Sequence, residues 1–159
     1  MNGNGCMKVV ESKSIIEVKG GIILQQVNCQ GVMGSGVAAA IRSKWPNVFD
    51  DYKAHCSAYR RPSDMLGSIN VSEVEEGLFV VNLFGQLNYG RDVTTRYTSY
   101  DALDEALSRT RRWMIDHDLD SSSVHHPAIG SGLGGGHWPT VASLIHQRLG
   151  SDTTLWLYP

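Results

Sequence analysis

Apolar residues recur along this chain in two alternating rhythms. Met7 to Val10 and Ser14 to Lys19 are short, rich in β-branched residues, and predict strands. Gly20-Gly21 interrupts them. The apolar run from Gly21 to Val27 predicts a buried strand. A helical pattern then covers Gly36 to Lys44 and stops at Trp45-Pro46, because the residue before proline disfavours helical geometry. Pro46 opens a second helix, whose stripe of Val48, Phe49, Tyr52, Cys56 and Tyr59 runs to about Arg60. Pro62-Ser63-Asp64 predicts a turn. Gly67 to Glu73 and Leu78 to Phe84 predict strands, with a hairpin turn at Glu75-Glu76-Gly77. Gly85 to Arg96 is polar and reads as a loop. Thr98 or Ser99 caps a helix with Leu103, Ala106, Leu107, Thr110, Trp113 and Met114 on its buried face. Ser121 to Ser123 closes that unit. A strand over Val124 to Ile129, a helix over Trp138 to Leu149 and a strand over Thr153 to Tyr158 complete the pattern.

Strands alternating with helices predict a three-layer α/β/α domain. The length of 159 residues suits one domain, taken as residues 7–159 after a loose tail over 1–6. Two glycine-rich loops each follow a strand and precede a helix. One contains Gly31, Gly34 and Gly36; the other runs from Gly130 to Gly136. Ligands of such sheets sit beyond the carboxyl ends of the strands. Glycines let backbone N–H groups approach an anion, and a helix N-terminus adds unpaired donors and a positive dipole end. Two loops of this kind suit a diphosphate better than a single phosphate.

Composition narrows the setting. The formal net charge of -2 argues against broad electrostatic binding of nucleic acid. Arg109, Arg111 and Arg112 read as a solvated helix face. The three cysteines, Cys6, Cys29 and Cys56, form neither a disulfide framework nor a CxxC pair. The start of the chain carries no signal-peptide pattern, and no apolar run approaches the roughly 18 residues of a membrane span. A cytoplasmic protein without membrane contact is expected. No apolar helix stripe calls for a partner subunit, so a monomer is expected. Gly34-Ser35-Gly36-Val37-Ala38-Ala39 fits the dinucleotide pattern G-x-G-x-x-G/A. Its first glycine lies well past the strand end, and the acidic residue of a second strand is missing, which counts against a nicotinamide site.

Val18-Lys19-Gly20-Gly21-Ile22, Val27-Asn28-Cys29, Gly34-Ser35-Gly36-Val37-Ala38 and Ile129-Gly130-Ser131-Gly132-Leu133-Gly134 resemble, in order and spacing, the macrodomain family. The similarity continues through Lys44-Trp45-Pro46, Asp51-Tyr52 and Phe84-Gly85-Gln86, from about Lys8 to Tyr158. It is strongest to the branch of ADP-ribose 1''-phosphate phosphatases and their ADP-ribosyl-hydrolase relatives. The resemblance implies a mixed central sheet and a ligand that is ADP-ribose or ADP-ribose 1''-phosphate, extending to ADP-ribosylated macromolecules, with no cofactor and no metal. Gly34, Ser35, Gly36 and Val37 would line the distal ribose and diphosphate. Ile129, Ser131, Gly132, Leu133 and Gly134 would wrap the diphosphate from the other side. Asn28, Phe84 and Gln86 would border the distal ribose. The family often has an aspartate that reads adenine where Gly21 stands here, so that contact would fall to the Ile22 backbone. Related hydrolases use a lysine near Phe84 and an aspartate in the second glycine loop. This chain has no lysine after Lys53, and Gly134 takes the aspartate's place.

Three further side chains bear on chemistry. His137, after the second glycine loop, is a candidate proton carrier, or else simply starts a helix. Cys29 reads as a small core residue before it reads as a nucleophile. His125-His126 cannot readily share one metal ion, because adjacent strand residues face opposite ways. The resulting expectation is a metal-independent phosphatase acting on ADP-ribose 1''-phosphate, with Asn28 orienting water or the distal ribose. The alternatives are a module that only binds ADP-ribose, or a hydrolase freeing it from a protein or nucleic-acid carrier.

Overall fold

The computed structural model describes residues 7–158; the tail expected over 1–6 lies outside the described residues. Six strands form one sheet: β1 (Lys8–Glu11), β2 (Gly21–Asn28), β3 (Ile69–Glu75), β4 (Leu78–Gln86), β5 (Val124–His126) and β6 (Thr154–Leu157). Their order is β1-β6-β5-β2-β4-β3. Every neighbouring pair is parallel except the hairpin of β3 and β4, so the sheet is mixed. Helices α1 (Gly36–Lys44) and α2 (Pro46–Ser57) cover one face, and α3 (Tyr100–Asp116) and α4 (Trp138–Leu149) cover the other. This is the three-layer α/β/α arrangement.

Strand β2 is central, hydrogen-bonded to β5 on one side and β4 on the other. Its residues alternate between two cores. Ile23 and Val27 pack with Ile41, Val48, Tyr52 and Phe84 under α1 and α2. Ile22 and Leu24 pack with Leu103, Leu107, Val141 and Ile145 under α3 and α4. A strand buried on both faces needs a nearly continuous apolar run, which β2 has until Gln25.

The elements differ from the sequence pattern in three places. Ser14 to Lys19 is not a strand; Ile15–Glu17 form one 3-10 turn, closed by a capping box between Ser14 and Glu17. The S-x-x-E signature there outweighs the β-branched run. Strand β5 ends at His126 rather than Ile129, because Pro127 has no N–H to offer the sheet. Helix α2 ends at Ser57, a turn short of Arg60.

His126 is fully buried at the end of β5. Its Nδ1 lies 2.9 Å from the Pro127 carbonyl, which can only accept, so Nδ1 carries the proton. Nε2 then accepts from the Thr153 hydroxyl at 3.0 Å. Burial pushes the pKa of this neutral ring down to about 4 from 6.5. The unfolded chain therefore binds the extra proton first, and stability present above pH 6.5 is lost as pH falls toward 4. The loss is at most about 3 kcal/mol. Urea midpoints should fall across that window. His126→Asn should start lower at neutral pH but show a flatter slope, the remainder coming from His55 and His125, which burial shifts the same way. An unchanged slope in that variant would refute the assignment.

Candidate functional site

The carboxyl ends of β2, β4 and β5 point the same way, and a cleft of about 660 Å³ opens over them. Three segments wall it: the loop from Cys29 into α1, the loop from Pro127 into α4, and the segment after β4 that includes Tyr89, Gly90 and Arg91.

The first loop is pinned by Asn28 and Tyr52. The Asn28 Oδ1 accepts from the Gln30 amide at 2.8 Å and from the Tyr52 hydroxyl at 2.9 Å. Its Nδ2 donates to the Val32 carbonyl at 2.8 Å. The Tyr52 oxygen itself accepts from the Gly31 amide at 3.1 Å. The Tyr52 hydroxyl lies equally close to the Asn28 backbone carbonyl, at 2.8 Å, and its one proton can go to only one of the two oxygens, so the amide keeps acceptor capacity as well as one unpaired N–H. Asn28 can therefore donate to a ribose hydroxyl or a phosphate. Cys29 is buried, and burial pushes its thiol up to about 12, so it is a protonated core residue. At the start of α1, Ser35 occupies the N-cap position but makes no side-chain cap bond. The first amides of α1 thus lack a side-chain acceptor, and they border the cleft.

The second loop is curled around Thr98. The Thr98 hydroxyl donates to the Gly130 carbonyl at 2.8 Å and accepts from Gln26 Nε2 at 2.9 Å. Gln26 Nε2 also donates to Gln86 Oε1 at 2.7 Å, and Gln86 donates to the Asn88 carbonyl. The Tyr97 and Thr98 amides both donate to the Gly134 carbonyl, at 2.8 and 3.0 Å. A methyl group on Gly134 would lie 2.6 Å from the Thr98 hydroxyl oxygen and 2.7 Å from the Gly130 carbonyl oxygen, so only glycine fits. With the loop's carbonyls turned inward, the amides of Gly132, Leu133 and Gly134 have no acceptor among the described residues.

The structure gathers Asn28, Gly34, Ser35, Gly36, Val37, Gln86, Ile129, Gly132, Leu133 and Gly134 around one cleft. It leaves out five residues expected there. Gly21 starts β2, seven residues before Asn28 and so roughly 23 Å away along the strand. Ile22 is fully buried in the α3–α4 core. Phe84 is fully buried too, stacked on Tyr52 and His55 with ring centroids 5.7 and 4.6 Å away. Ser131 turns its hydroxyl back to the Ala128 carbonyl at 2.6 Å. His137 is exposed at the N-cap of α4, with Nδ1 on the Thr140 hydroxyl at 3.1 Å, and does not line the cleft. The two strand histidines part company: His126 is buried, while His125 Nδ1 accepts from the Trp156 indole at 2.9 Å.

Sequence reasoning missed Gln26, Thr98 and Arg91. Two adjacent glutamines inside a buried strand are a legible anomaly, since buried polar side chains demand partners. Thr98 reads locally as a helix cap, but Ser99 takes that position, accepting from the Ala102 amide.

A cleft between two glycine loops on a mixed six-stranded sheet defines an α/β/α protein with unpaired backbone donors at one sheet edge, and sequence comparison assigns it. The chain belongs to the Macro domain family, whose model matches residues 25–145. It is 25% identical over 150 residues to a DNA ADP-ribosyl glycohydrolase of Thermus aquaticus, a match covering 91% of this chain and 39% of that protein. The chain thus spans about two fifths of that relative's length. It is 24% identical over 149 residues to an ADP-ribose 1''-phosphate phosphatase of Meyerozyma guilliermondii, covering 80% of this chain and 85% of that one. The structure of a macrodomain protein from Streptomyces coelicolor superposes with a TM-score of 0.73 at 26% identity, covering 96% and 98% of the two chains.

Thr98→Val keeps the shape and removes the hydroxyl at the centre of the second loop. It should cost about 1–3 kcal/mol in urea unfolding. It should also speed hydrogen exchange at the Tyr97 and Gly136 amides. Thr98→Ser should stay within about 1 kcal/mol of the parent. Unchanged exchange in Thr98→Val would show that the hydroxyl does not hold the loop.

Proposed function

We propose that this macrodomain binds ADP-ribose across its two glycine loops and hydrolyses ADP-ribose 1''-phosphate to ADP-ribose and inorganic phosphate without a metal ion. The observation that carries the reading is the pair of facing donor sets. The uncapped N-terminus of α1 and the free amides of Gly132, Leu133 and Gly134 meet over one cleft that no carboxylate lines among the described residues. Such a cleft favours a diphosphate in its middle. The Asn28 N–H then donates at the distal ribose, with Gln86 beside it.

Phosphate monoesters react through a loose transition state with charge spread over the equatorial oxygens, so positioning and donors matter more than a strong base. In the proposed step a water oxygen bonds to phosphorus and the bond from phosphorus to the anomeric oxygen breaks. The water's protons end on the anomeric oxygen and the released phosphate, with the substrate's own phosphate oxygens serving as the proton relay. This route needs no acceptor from Asn28 and no contribution from His137. The similarity to phosphatases over 85% of the Meyerozyma guilliermondii protein's length supports the same reading.

Release of ADP-ribose from DNA is the second reading, favoured by the relatives named for that activity. It ranks lower because no lysine lines the cleft and Gly134 stands where related hydrolases have an aspartate.

Phosphate release from ADP-ribose 1''-phosphate should be measurable and unaffected by a chelator. Asn28→Asp replaces the free donor with a negative acceptor, and should lower kcat/KM by about 10- to 1000-fold. Calorimetry with ADP-ribose completes the test. Binding with no phosphate release would leave a module that only binds. Free ADP-ribose released from modified DNA, with no phosphatase activity, would move the assignment to the second reading.

A further inference from the structure

The segment after β4, whose polar sequence predicts a surface loop, forms the outer wall of the cleft. It carries Arg91, the only charged side chain lining the cleft among the described residues. Arg91 makes no ion pair with a carboxylate among those residues. Its neighbour Asp92 is engaged with Thr94 and Thr95 instead. The Asp92 carboxylate accepts from the Thr94 amide at 2.9 Å, the Thr94 hydroxyl at 2.7 Å and the Thr95 hydroxyl at 3.0 Å. Those bonds hold it below the usual carboxylate range.

The backbone that presents Arg91 is braced. Gly90 lies directly on the Tyr97 ring, where a Cβ would collide with the hydroxyl. The Asp92 amide donates to that hydroxyl at 3.4 Å. The Tyr97 amide in turn donates to the Gly134 carbonyl at 2.8 Å. One strut thus links Arg91 to the second glycine loop. Tyr89, half-exposed, stands beside it on the same wall.

Position sets the role. Asn28 and Gln86 are register partners at the ends of β2 and β4, and the Arg91 segment follows directly from β4. Pro127 and Ala128, which follow β5, lie across β2 from it. If the diphosphate lies between the glycine loops and the distal ribose at Asn28, Arg91 faces whatever is attached beyond that ribose. A guanidinium offers a planar fork of N–H donors that matches phosphate oxygens two at a time.

We propose, resting on the reading given under Proposed function, that Arg91 is the residue that selects substrates bearing a phosphate monoester beyond the distal ribose. It binds that phosphate directly and balances the charge it carries during hydrolysis. The middle of the cleft accepts ADP-ribose from any source; Arg91 adds discrimination in favour of the phosphorylated form.

The test separates this from the underlying reading. On the unaltered protein, calorimetry with ADP-ribose and phosphate release from ADP-ribose 1''-phosphate come first. Failure of the first overturns the ligand assignment, and failure of the second overturns the phosphatase assignment, before Arg91 is altered. R91Q should then lower kcat/KM for phosphate release by about 100-fold, in the range of a lost transition-state donor. Its Kd for ADP-ribose should stay within twofold. Inhibition by inorganic phosphate should weaken, and R91K should restore part of the loss. Equal losses in ADP-ribose binding and in turnover would place Arg91 on the diphosphate and overturn the proposal. Unchanged turnover would do the same. Competition by an unmodified DNA oligonucleotide that R91Q abolishes would replace the monoester with a phosphodiester and overturn it as well.

Discussion

The parallel pairing of β2 with both of its neighbours is the constraint on which the site depends. A strand with ladders on both edges and helices on both faces has only its ends open. Because β4 and β5 run the same way as β2, their carboxyl ends coincide, and three connecting segments must leave from one edge of the sheet. Each has to cover the strand ends while leaving its own backbone groups satisfied or exposed to a ligand. The cleft is where that requirement leaves backbone donors unpaired.

What makes those donors a site rather than a loose collection is support from outside the loops. Tyr52 reaches over from α2 to hold the turn after Asn28. Thr98, just before α3, holds the second glycine loop, and Gln26 holds Thr98 from within β2. Each support is packed into the fold before any ligand arrives, which lowers the ordering cost of binding. The unpaired donors of the cleft are backbone amides, with side chains bracing them from below. Arg91 stands apart as the charged residue on the cleft wall, with no ion pair among the described residues.

This division also explains what the sequence made legible. Backbone sites leave a local trace: strand, glycines, then helix. The pattern therefore located Gly34 to Val37 and Gly132 to Gly134, and the two spacings of apolar residues located most of the strands and helices. Apart from the polar pair Gln25-Gln26 inside a buried strand, the supports leave no local trace. Thr98 is 32 residues from Gly130, Gln26 is 72 from Thr98, and Tyr52 is 24 from Asn28. Phe84 differs for the opposite reason: it is two residues from Gln86, but it lies under α2 against Tyr52 and His55, whereas Gln86 is at the end of β4, past the register shift opposite Val27 and Asn28. His137 carries suitable chemistry at a suitable sequence position, yet the start of α4 turns it toward Thr140. Gly21 lies in a glycine pair at the wrong end of its strand.

The packing of Gly134 on Thr98 has an evolutionary side. By the resemblance in sequence, related hydrolases would carry an aspartate where this chain has Gly134. Any side chain there would strike both the Thr98 hydroxyl and the Gly130 carbonyl. Gaining that carboxylate would therefore require loss of the hydroxyl and a shift of the Gly130 carbonyl as well, and losing the hydroxyl alone weakens the loop. The two positions are epistatic, with a disfavoured intermediate on either order of change. A strut that improves the present cleft thus narrows the mutational paths by which this lineage could acquire a lysine–aspartate type of chemistry.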